Sequence, residues 1–181
     1  MKKLKLYIYK SIGKFVKNKH EYMCNVYRKD GVKIGENVHI FSDIISSEPY
    51  LISIGNNSTI STNVNFVTHD ASIGVINGRE NGSDMVGPIS IGAHCFVGSS
   101  ATVLYGVTIG DYTVVAANSV VTKSFPDGHV VIGGNPAKII CTIDDFINKN
   151  QQYFLRLHGL NFEDRKKAIE EAEKCQKLIN R

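Results

Sequence analysis

Residues 91–126 divide into six consecutive hexapeptides, IGAHCF, VGSSAT, VLYGVT, IGDYTV, VAANSV and VTKSFP. Every unit begins with a β-branched aliphatic residue, and its second residue is mostly Gly or Ala. The pattern ends where Phe125 takes the fifth position. A period of six residues is neither helical nor the simple alternation of a half-buried strand. It predicts a short strand followed by a turn, repeated in one register. The first positions are Ile91, Val97, Val103, Ile109, Val115 and Val121, and the earlier fifth positions are Cys95, Ala101, Val107, Thr113 and Ser119.

Three such units would close one triangular coil, with one large and one small side chain of each unit pointing inward. Successive coils would stack at the spacing of about 4.8 Å that hydrogen-bonded strands keep, and the solenoid would need covered ends. Residues 54–70 continue the same phase, and Ile34 with Ile40 indicates a degenerate first coil. A β-sandwich with valine-rich strands is the alternative, but six consecutive units in one register favour the solenoid. The period leaves the hand of the coil open, although right-handed crossovers are the usual preference.

The bulk properties of the 181-residue chain fit one domain with a small appendage. The hydrophobic content of 43% and the charged content of 21% are ordinary for a globular protein. The net charge of +4 favours anionic ligands such as phosphates but does not indicate a nucleic-acid partner. The four cysteines lack disulfide-framework or zinc-finger spacing, so we expect free thiols in a reducing compartment. Because the chain shows neither a signal-peptide core nor an apolar run of about 20 residues, the expected location is the cytoplasm.

Two segments carry a specific resemblance to known enzymes. Residues 106–140, GVTIGDYTVVAANSVVTKSFPDGHVVIGGNPAKII, resemble the closing segment of acetyl-CoA-dependent O-acetyltransferases. Residues 48–70, EPYLISIGNNSTISTNVNFVTHD, resemble polysaccharide O-acetyltransferases related to the xenobiotic and maltose acetyltransferases. The chain is therefore similar, over about residues 30–141, to the hexapeptide-repeat acyltransferases. That resemblance implies a mainly β fold, a left-handed parallel β-helix, and a homotrimer with its sites between subunits.

The resemblance also implies an activity. Acetyl-CoA would donate the acetyl group, and the acceptor would be a sugar hydroxyl, in cell-surface polysaccharide biosynthesis. A small non-carbohydrate acceptor, such as an antibiotic or serine, is the alternative substrate, and a non-catalytic β-helix scaffold is the alternative without catalysis.

The non-repeating segments divide the chain further. We expect a basic amphipathic cap over residues 1–30, for which weak association with a membrane surface is a second interpretation. The β-helix would occupy residues 31–141, with a glycine-rich loop excursion at about 71–88 that is either a flap over the active site, reaching a neighbouring subunit, or a disordered insertion. Residues 142–181 would form two helices, with Thr142 as the N-cap of the first.

The stretch NFVTHDAS, residues 65–72, places a proton-handling pair inside a region of small and apolar residues. A sugar hydroxyl is a weak nucleophile, and a positioned imidazole can take its proton during attack. His69 also lies where related acetyltransferases carry the catalytic histidine, so we expect it to be the general base in a direct transfer. Asp70 would point to the opposite face of an extended strand, which leaves Glu48 or a backbone carbonyl to orient the ring. Glu48, Tyr50 and Asp70 are candidates for binding the acceptor, and a simple surface turn is the alternative interpretation.

The resemblance assigns further residues to acetyl-CoA. Ser99 would touch the acetyl-CoA arm, and the amide of Gly98 or Ser99 would stabilise the oxyanion. The residues expected along the pantetheine and the phosphates are Ala117, Thr122, Lys123 and Lys138. Cys141 stands where some relatives have a second basic residue, so the phosphate contacts are less complete here. A solvated turn lysine at Lys123 and plain repeat packing at Ala117 are the alternatives.

His94 raises the alternative hypothesis of a metal-dependent protein. Zinc carbonic anhydrases with hexapeptide repeats need three histidine ligands, and a partner would be expected about five positions after His94, where the chain has Ser99. We therefore expect no metal.

Overall fold

The computed structural model describes Tyr9, Ser11 and residues 16–78 and 82–179. Within these ranges the chain forms two units, Met1–Ile143 and Asp144–Arg181. The first unit contains fifteen short strands. They are β1 Lys33–Ile34, β2 His39–Ile40, β3 Ile52–Ile54, β4 Thr59–Ile60, β5 Asn65–Val67, β6 His69–Asp70, β7 Met85–Val86, β8 Ile89–Ile91, β9 Phe96–Val97, β10 Thr102–Leu104, β11 Thr108–Ile109, β12 Val114–Val115, β13 Val120–Val121, β14 Val130–Gly134 and β15 Ala137–Thr142.

Thirteen of these strands make three sheets, which form the faces of a triangular coil. Sheet 1 has the order β1-β3-β8-β11, sheet 2 the order β15-β14-β12-β9-β4-β2, and sheet 3 the order β13-β10-β5. All pairings in them are parallel except that of β14 with β15. Apart from β15, which folds back on β14, the strands of each sheet come from successive coils, as the six-residue period predicts.

The repeat positions explain the core. The first residue of each hexapeptide from Ile91 to Val121 is at most 2% exposed, and the fifth residues from Cys95 to Ser119 are equally buried. Burying one large and one small side chain per unit fills the interior of the prism. The two polar members of this set, Thr113 and Ser119, are hydrogen-bonded to backbone groups. The tight stacking also explains the second position: a Cβ on Gly98 would lie 2.6 Å from the amide nitrogen of Ala117 in the next coil.

The corners depend on the fourth position of the hexapeptides, which has a positive φ in the five units between residues 91 and 120. Gly106 and Asn118 adopt this left-handed conformation readily, with φ of 75° and 59°. His94, Ser100 and Tyr112 adopt it too, so the turn does not require Gly or Asn. The coil geometry overrides the local preference of these three residues.

The open end of the first coil is covered by helix α1, Lys19–Lys29. Its side chains Met23, Cys24 and Tyr27 are buried, and the hydroxyl of Tyr27 donates to the carbonyl of Ser42 at 3.1 Å. Burial raises the pKa of the Cys24 thiol to about 11. The predicted amphipathic cap began at residue 1, and most of residues 1–15 lie outside the described residues. Lys19–Lys29 provides the cap that the structure describes.

The predicted loop excursion begins at β6, two residues earlier than expected. β6 pairs antiparallel with β7, so that His69 faces Val86 and Asp70 faces Met85. The five-residue helix α2, Ser72–Ile76, lies between these strands. The order of buried positions also changes before the excursion. Thr68, the third residue of its hexapeptide, is buried, whereas Asp70, the fifth, is not.

The C-terminal segment is helical, with α3 at Ile143–Asn150 and α4 at Phe162–Lys174. Thr142 is the last residue of β15, directly before α3. The side chain of Asn161 caps α4 by accepting the N–H of Asp164 at 2.9 Å, a cap that the sequence analysis missed. In the part of the chain that the structure describes, no helix has both the length and the apolar character of a membrane span.

Candidate active site

His69 lies where the chain leaves sheet 3, at the corner that leads to sheet 1. β5 precedes it in sheet 3, and β8 continues the coil in sheet 1 after the excursion. His69 is on β6, directly after the buried Thr68, and 38% of its side chain is exposed. The coil therefore holds the backbone of His69 while its imidazole is accessible to a dissolved molecule.

Glu48 holds the His69 ring. Its Oε2 lies 2.8 Å from Nδ1 of His69 and also accepts the hydroxyl of Thr68 at 2.7 Å. The Ser46 hydroxyl lies 2.7 Å from that of Thr68, and it accepts the backbone N–H of Glu48 at 3.0 Å. The segment that carries Glu48 is thus joined to the strand that carries His69 by a closed set of hydrogen bonds.

The two groups shift each other's proton affinity. The hydrogen bond and the negative charge of Glu48 raise the pKa of His69 above its ordinary value. Hydrogen bonds from Thr68 and then from His69 lower the pKa of Glu48. A carboxylate can only accept hydrogen bonds, so the Nδ1 of a neutral His69 must carry its proton towards Glu48. The other ring nitrogen, Nε2, then keeps its lone pair and can accept a proton from a bound hydroxyl.

Asp70 and Tyr50 are the two other residues expected to bind the acceptor substrate, and they have different surroundings. One oxygen of Asp70 accepts the N–H of Ser72 at 2.8 Å, and the other accepts the hydroxyl of Tyr105 at 3.4 Å. The Ser72 N–H lowers the pKa of Asp70. Tyr50 lies on a short 3₁₀ helix, Pro49–Leu51, and is 59% exposed. The structure brings Glu48 to His69, and it turns Asp70 away from the ring.

His69 is among the residues that line a groove of about 660 Å³. Residues 41–47 form one wall, and residues 63–69 form the other. The lining combines hydroxyls, amides and one carboxylate, Asp43, with the exposed side chains of Phe41 and Ile45. Such a mixed groove suits a ligand with many hydroxyl groups and some apolar surface.

The residues expected to touch the acetyl-CoA arm lie at a different corner, between sheets 2 and 3. Ser99 follows β9 and Ala117 follows β12, and the N–H of Asn118 donates to the carbonyl of Ser99 at 2.9 Å. The Ser99 hydroxyl lies 2.8 Å from that of Ser61. The amide of Gly98 donates to the carbonyl of Val115 at 2.8 Å, so it is already used within the coil. Of the two amides considered as donors to the oxyanion, that of Ser99 is therefore the better candidate.

The basic candidates lie at the corner that also carries His69 and at the edge of sheet 2. Thr122 and Lys123 follow β13 at the corner between sheets 3 and 1, and both are exposed. The Nζ of Lys123 lies 5.7 Å from the centre of the Phe125 ring. Lys138 lies on β15, opposite Gly133 of β14, and is exposed. One chain therefore carries the candidate residues at two corners and at the edge of sheet 2.

Comparison with known proteins identifies the family. Residues 88–123 match the hexapeptide repeat of succinyl-transferase. Protein CapG of Staphylococcus aureus is 39% identical over 142 residues, which cover 77% of this chain and 82% of CapG. The chain belongs to the hexapeptide-repeat acetyltransferases. Its coil is accordingly a left-handed parallel β-helix, as the resemblance implied, and the general preference for right-handed crossovers does not apply.

Two further relatives of this hexapeptide-repeat acetyltransferase are informative. Galactoside O-acetyltransferase of Escherichia coli strain K12 is 32% identical over 131 residues, covering 69% of this chain and 59% of that protein. A solved galactoside acetyltransferase in complex with coenzyme A matches with a TM-score of 0.57 and 25% identity, over 80% of this chain and 82% of that one. The chain is an acyltransferase, in agreement with the expectation from its sequence.

Three residues of the site escaped the sequence analysis. Ser46 and Thr68 join Glu48 to His69, and Tyr105 contacts Asp70. The sequence contains one indication of the role of Thr68, because a hydroxyl directly before the histidine can fix a neighbouring carboxylate. Ser46 and Tyr105 come from other coils, and nothing in the sequence indicates that they meet this segment. Among the described residues, no cluster of three His, Cys, Asp or Glu side chains could hold a metal.

Proposed function

We propose that this chain is an acetyl-CoA-dependent O-acetyltransferase that acts on a sugar hydroxyl in cell-surface polysaccharide biosynthesis. The observation that carries the proposal is the hydrogen bond of 2.8 Å between Nδ1 of His69 and Glu48. It leaves Nε2 of an exposed imidazole as a proton acceptor at the end of a groove. A base placed in this way is what a sugar hydroxyl lacks at neutral pH.

In the proposed reaction, the acceptor hydroxyl loses its proton to Nε2 of His69 as its oxygen attacks the thioester carbonyl of acetyl-CoA. Glu48 fixes the tautomer of the ring and stabilises the imidazolium that forms. The backbone amide of Ser99 is the donor we assign to the developing oxyanion. The imidazolium then returns its proton to the departing thiolate, which leaves as coenzyme A. No acyl-enzyme is needed, because the thioester is already activated and His69 supplies the base. Cys24 and Cys95 are buried, and burial raises the pKa of both thiols, which makes them poor nucleophiles.

A sugar acceptor is supported by the groove and by the relatives. The groove wall at residues 41–47 offers hydroxyls and a carboxylate beside an exposed aromatic ring. Galactoside O-acetyltransferase is among the similar proteins. The wall at residues 63–69 ends at His69, so a hydroxyl of a bound sugar chain would be presented to the base.

We further propose a homotrimer that completes each site from two subunits. Within one chain, His69 and Ser99 lie at different corners of the prism. Repeated rotation of one copy onto the next closes a ring in which one subunit's His69 corner meets the neighbour's Ser99 corner. The small side chains of Ala116 and Ala117 would let the donor lie close to the coil, and Lys123 and Lys138 would meet its phosphates.

A subunit-mixing experiment tests both parts of the proposal. His69→Ala should remove the base, and Ala117→Leu should obstruct the donor site, so each variant alone should fail to acetylate sugars. Coexpressed, they should form mixed trimers in which some sites combine an intact His69 with an intact Ala117, and thiol release should return. Activity is followed with a panel of sugars, an aminoglycoside and serine as acceptors. Turnover only with a non-sugar would overturn the proposed acceptor, and mixed trimers that stay inactive would overturn the shared site.

A further inference from the structure

Both ends of the excursion meet one turn of the β-helix, formed by Tyr105 and Gly106. On the outgoing side, the hydroxyl of Tyr105 donates to Oδ2 of Asp70 at 3.4 Å. On the returning side, the N–H of Gly106 donates to the carbonyl of Pro88 at 2.9 Å. The returning chain also lies close to the turn, because a Cβ on Gly87 would be 2.6 Å from the nitrogen of Gly106. The root of the excursion is therefore held on the coil at this turn.

His69 lies between two anchored neighbours. Thr68, on one side, is buried and donates its hydroxyl to Glu48 at 2.7 Å. Asp70, on the other side, uses one oxygen for the N–H of Ser72 and the other for Tyr105. The β-helix provides the backbone contact between Gly106 and Pro88 whatever the side chains are. The contact between Asp70 and Tyr105 depends on the phenol alone.

The repeat itself does not call for a phenol at this position. Tyr105 is the third residue of its hexapeptide, and no other unit between residues 91 and 126 has an aromatic residue there. The corresponding residues are Ala93, Ser99, Asp111, Ala117 and Lys123. Tyr105 is half-buried, and desolvation, followed by the charge of Asp70, raises the pKa of its hydroxyl. The phenol therefore stays protonated and remains a donor at neutral pH.

We infer that Tyr105 is a positioning residue that fastens Asp70 to the coil, so that β6 holds the His69 ring against Glu48 and keeps the excursion closed at its root. The inference rests on the proposed function, because it gives Tyr105 a part in the same site. Tyr105 acts through Asp70 and does not touch the reacting atoms.

The test compares Tyr105→Phe with Tyr112→Phe, a matched control at a corner of the next coil whose ring stacks between His94 and His129. In the unliganded protein, Tyr105→Phe should speed amide exchange in residues 69–76 and 85–87 and should move the NMR titration of His69 to lower pH. It should lower kcat about fivefold, as expected for one lost hydrogen bond, with little change in the KM for acetyl-CoA. Tyr112→Phe should leave all three unchanged.

A double-mutant cycle separates the contact from a general disturbance. Asp70→Ala removes both accepting oxygens, so Tyr105→Phe should have little further effect in that background. Additive effects of the two substitutions would overturn the inference, as would unchanged exchange in Tyr105→Phe. Faster exchange with an unmoved His69 titration and unchanged kcat would show that Tyr105 holds the excursion in place without positioning His69, and it would also overturn the inference. Failure of the wild-type protein to acetylate any sugar would contradict the proposed function instead, because exchange and titration require no substrate.

Discussion

Glu48 and His69 are separated by 21 positions in the sequence, yet Oε2 of the first lies 2.8 Å from Nδ1 of the second. The β-helix creates this contact by stacking one coil on the next, so that the segment before β3 meets the strand after β5. The carboxylate faces one ring nitrogen, and 38% of the His69 side chain is exposed. The pair therefore combines a fixed tautomer with an accessible base.

The first prediction concerns the pH profile of Glu48→Gln. The amide keeps the size of the side chain but removes the charge that raises the pKa of His69. Because the neutral imidazole is the active form, kcat/KM should rise with pH through the pKa of His69. That rising limb should lie at lower pH in Glu48→Gln than in the wild type, and turnover should also fall. Asp127→Asn, an exposed change at a turn outside the site, is the control, and a limb at the wild-type position in Glu48→Gln would contradict the role of Glu48.

The same pair makes a prediction about stability. Glu48 has a lowered pKa, so its contribution is present above the ordinary Glu pKa and is lost as pH falls through the lowered value. His69 has a raised pKa, so its contribution is complete below the ordinary His pKa and is lost as pH rises through the raised value. The Tm difference between wild type and Glu48→Gln should therefore be largest between about pH 4.3 and pH 6.5. A difference that grows above this window would contradict the ion pair.

A third prediction concerns His69→Ala. Removing a general base typically costs about 100-fold or more in turnover, whereas Ser99 and Ala117, the donor candidates at the other corner, are untouched. Acetyl-CoA should still raise the Tm of the variant, because a ligand that binds only the folded state stabilises it. Near-normal turnover would refute the assignment, and loss of the acetyl-CoA effect would show that His69 belongs to the donor site.

The sequence predicted the β-helix well because its core is periodic. Ile109 and Val115 occupy the same interior position in successive units, and each repetition adds to one signal. The site has no such repetition. Its acceptor side depends on the change of phase at Thr68, a single local event, and on contacts between coils such as that of Tyr105 with Asp70. His69 could be identified from its unusual place in the repeat together with a family resemblance, whereas Ser46 and Tyr105 could be found only from the folded structure.

Lys123 is the subject of a fourth prediction. Its ammonium group lies over the Phe125 ring, so a packing role has to be separated from phosphate binding. Lys123→Met keeps the apolar stem and removes the charge, and it should raise the KM for acetyl-CoA more than it lowers kcat. Lys149→Ala, an exposed change on α3, should leave both constants unchanged. An effect of Lys123→Met confined to the acceptor KM would place Lys123 away from the donor.

The last prediction concerns the excursion, whose apolar residues Val75, Ile76 and Val86 are more than half exposed beside the candidate base. Replacing residues 77–83 by a short Gly-Ser linker preserves β7, and therefore the pairing of His69 with Val86 and of Asp70 with Met85. If the excursion is a flap over the acceptor, the shortened protein should keep its Tm and its KM for acetyl-CoA, while its KM for the sugar rises. A deletion of residues 76–85 would remove Met85 as well, so it should also lower kcat by loosening β6. Equal acceptor kinetics in the shortened and wild-type proteins would show that the excursion does not take part in acceptor binding.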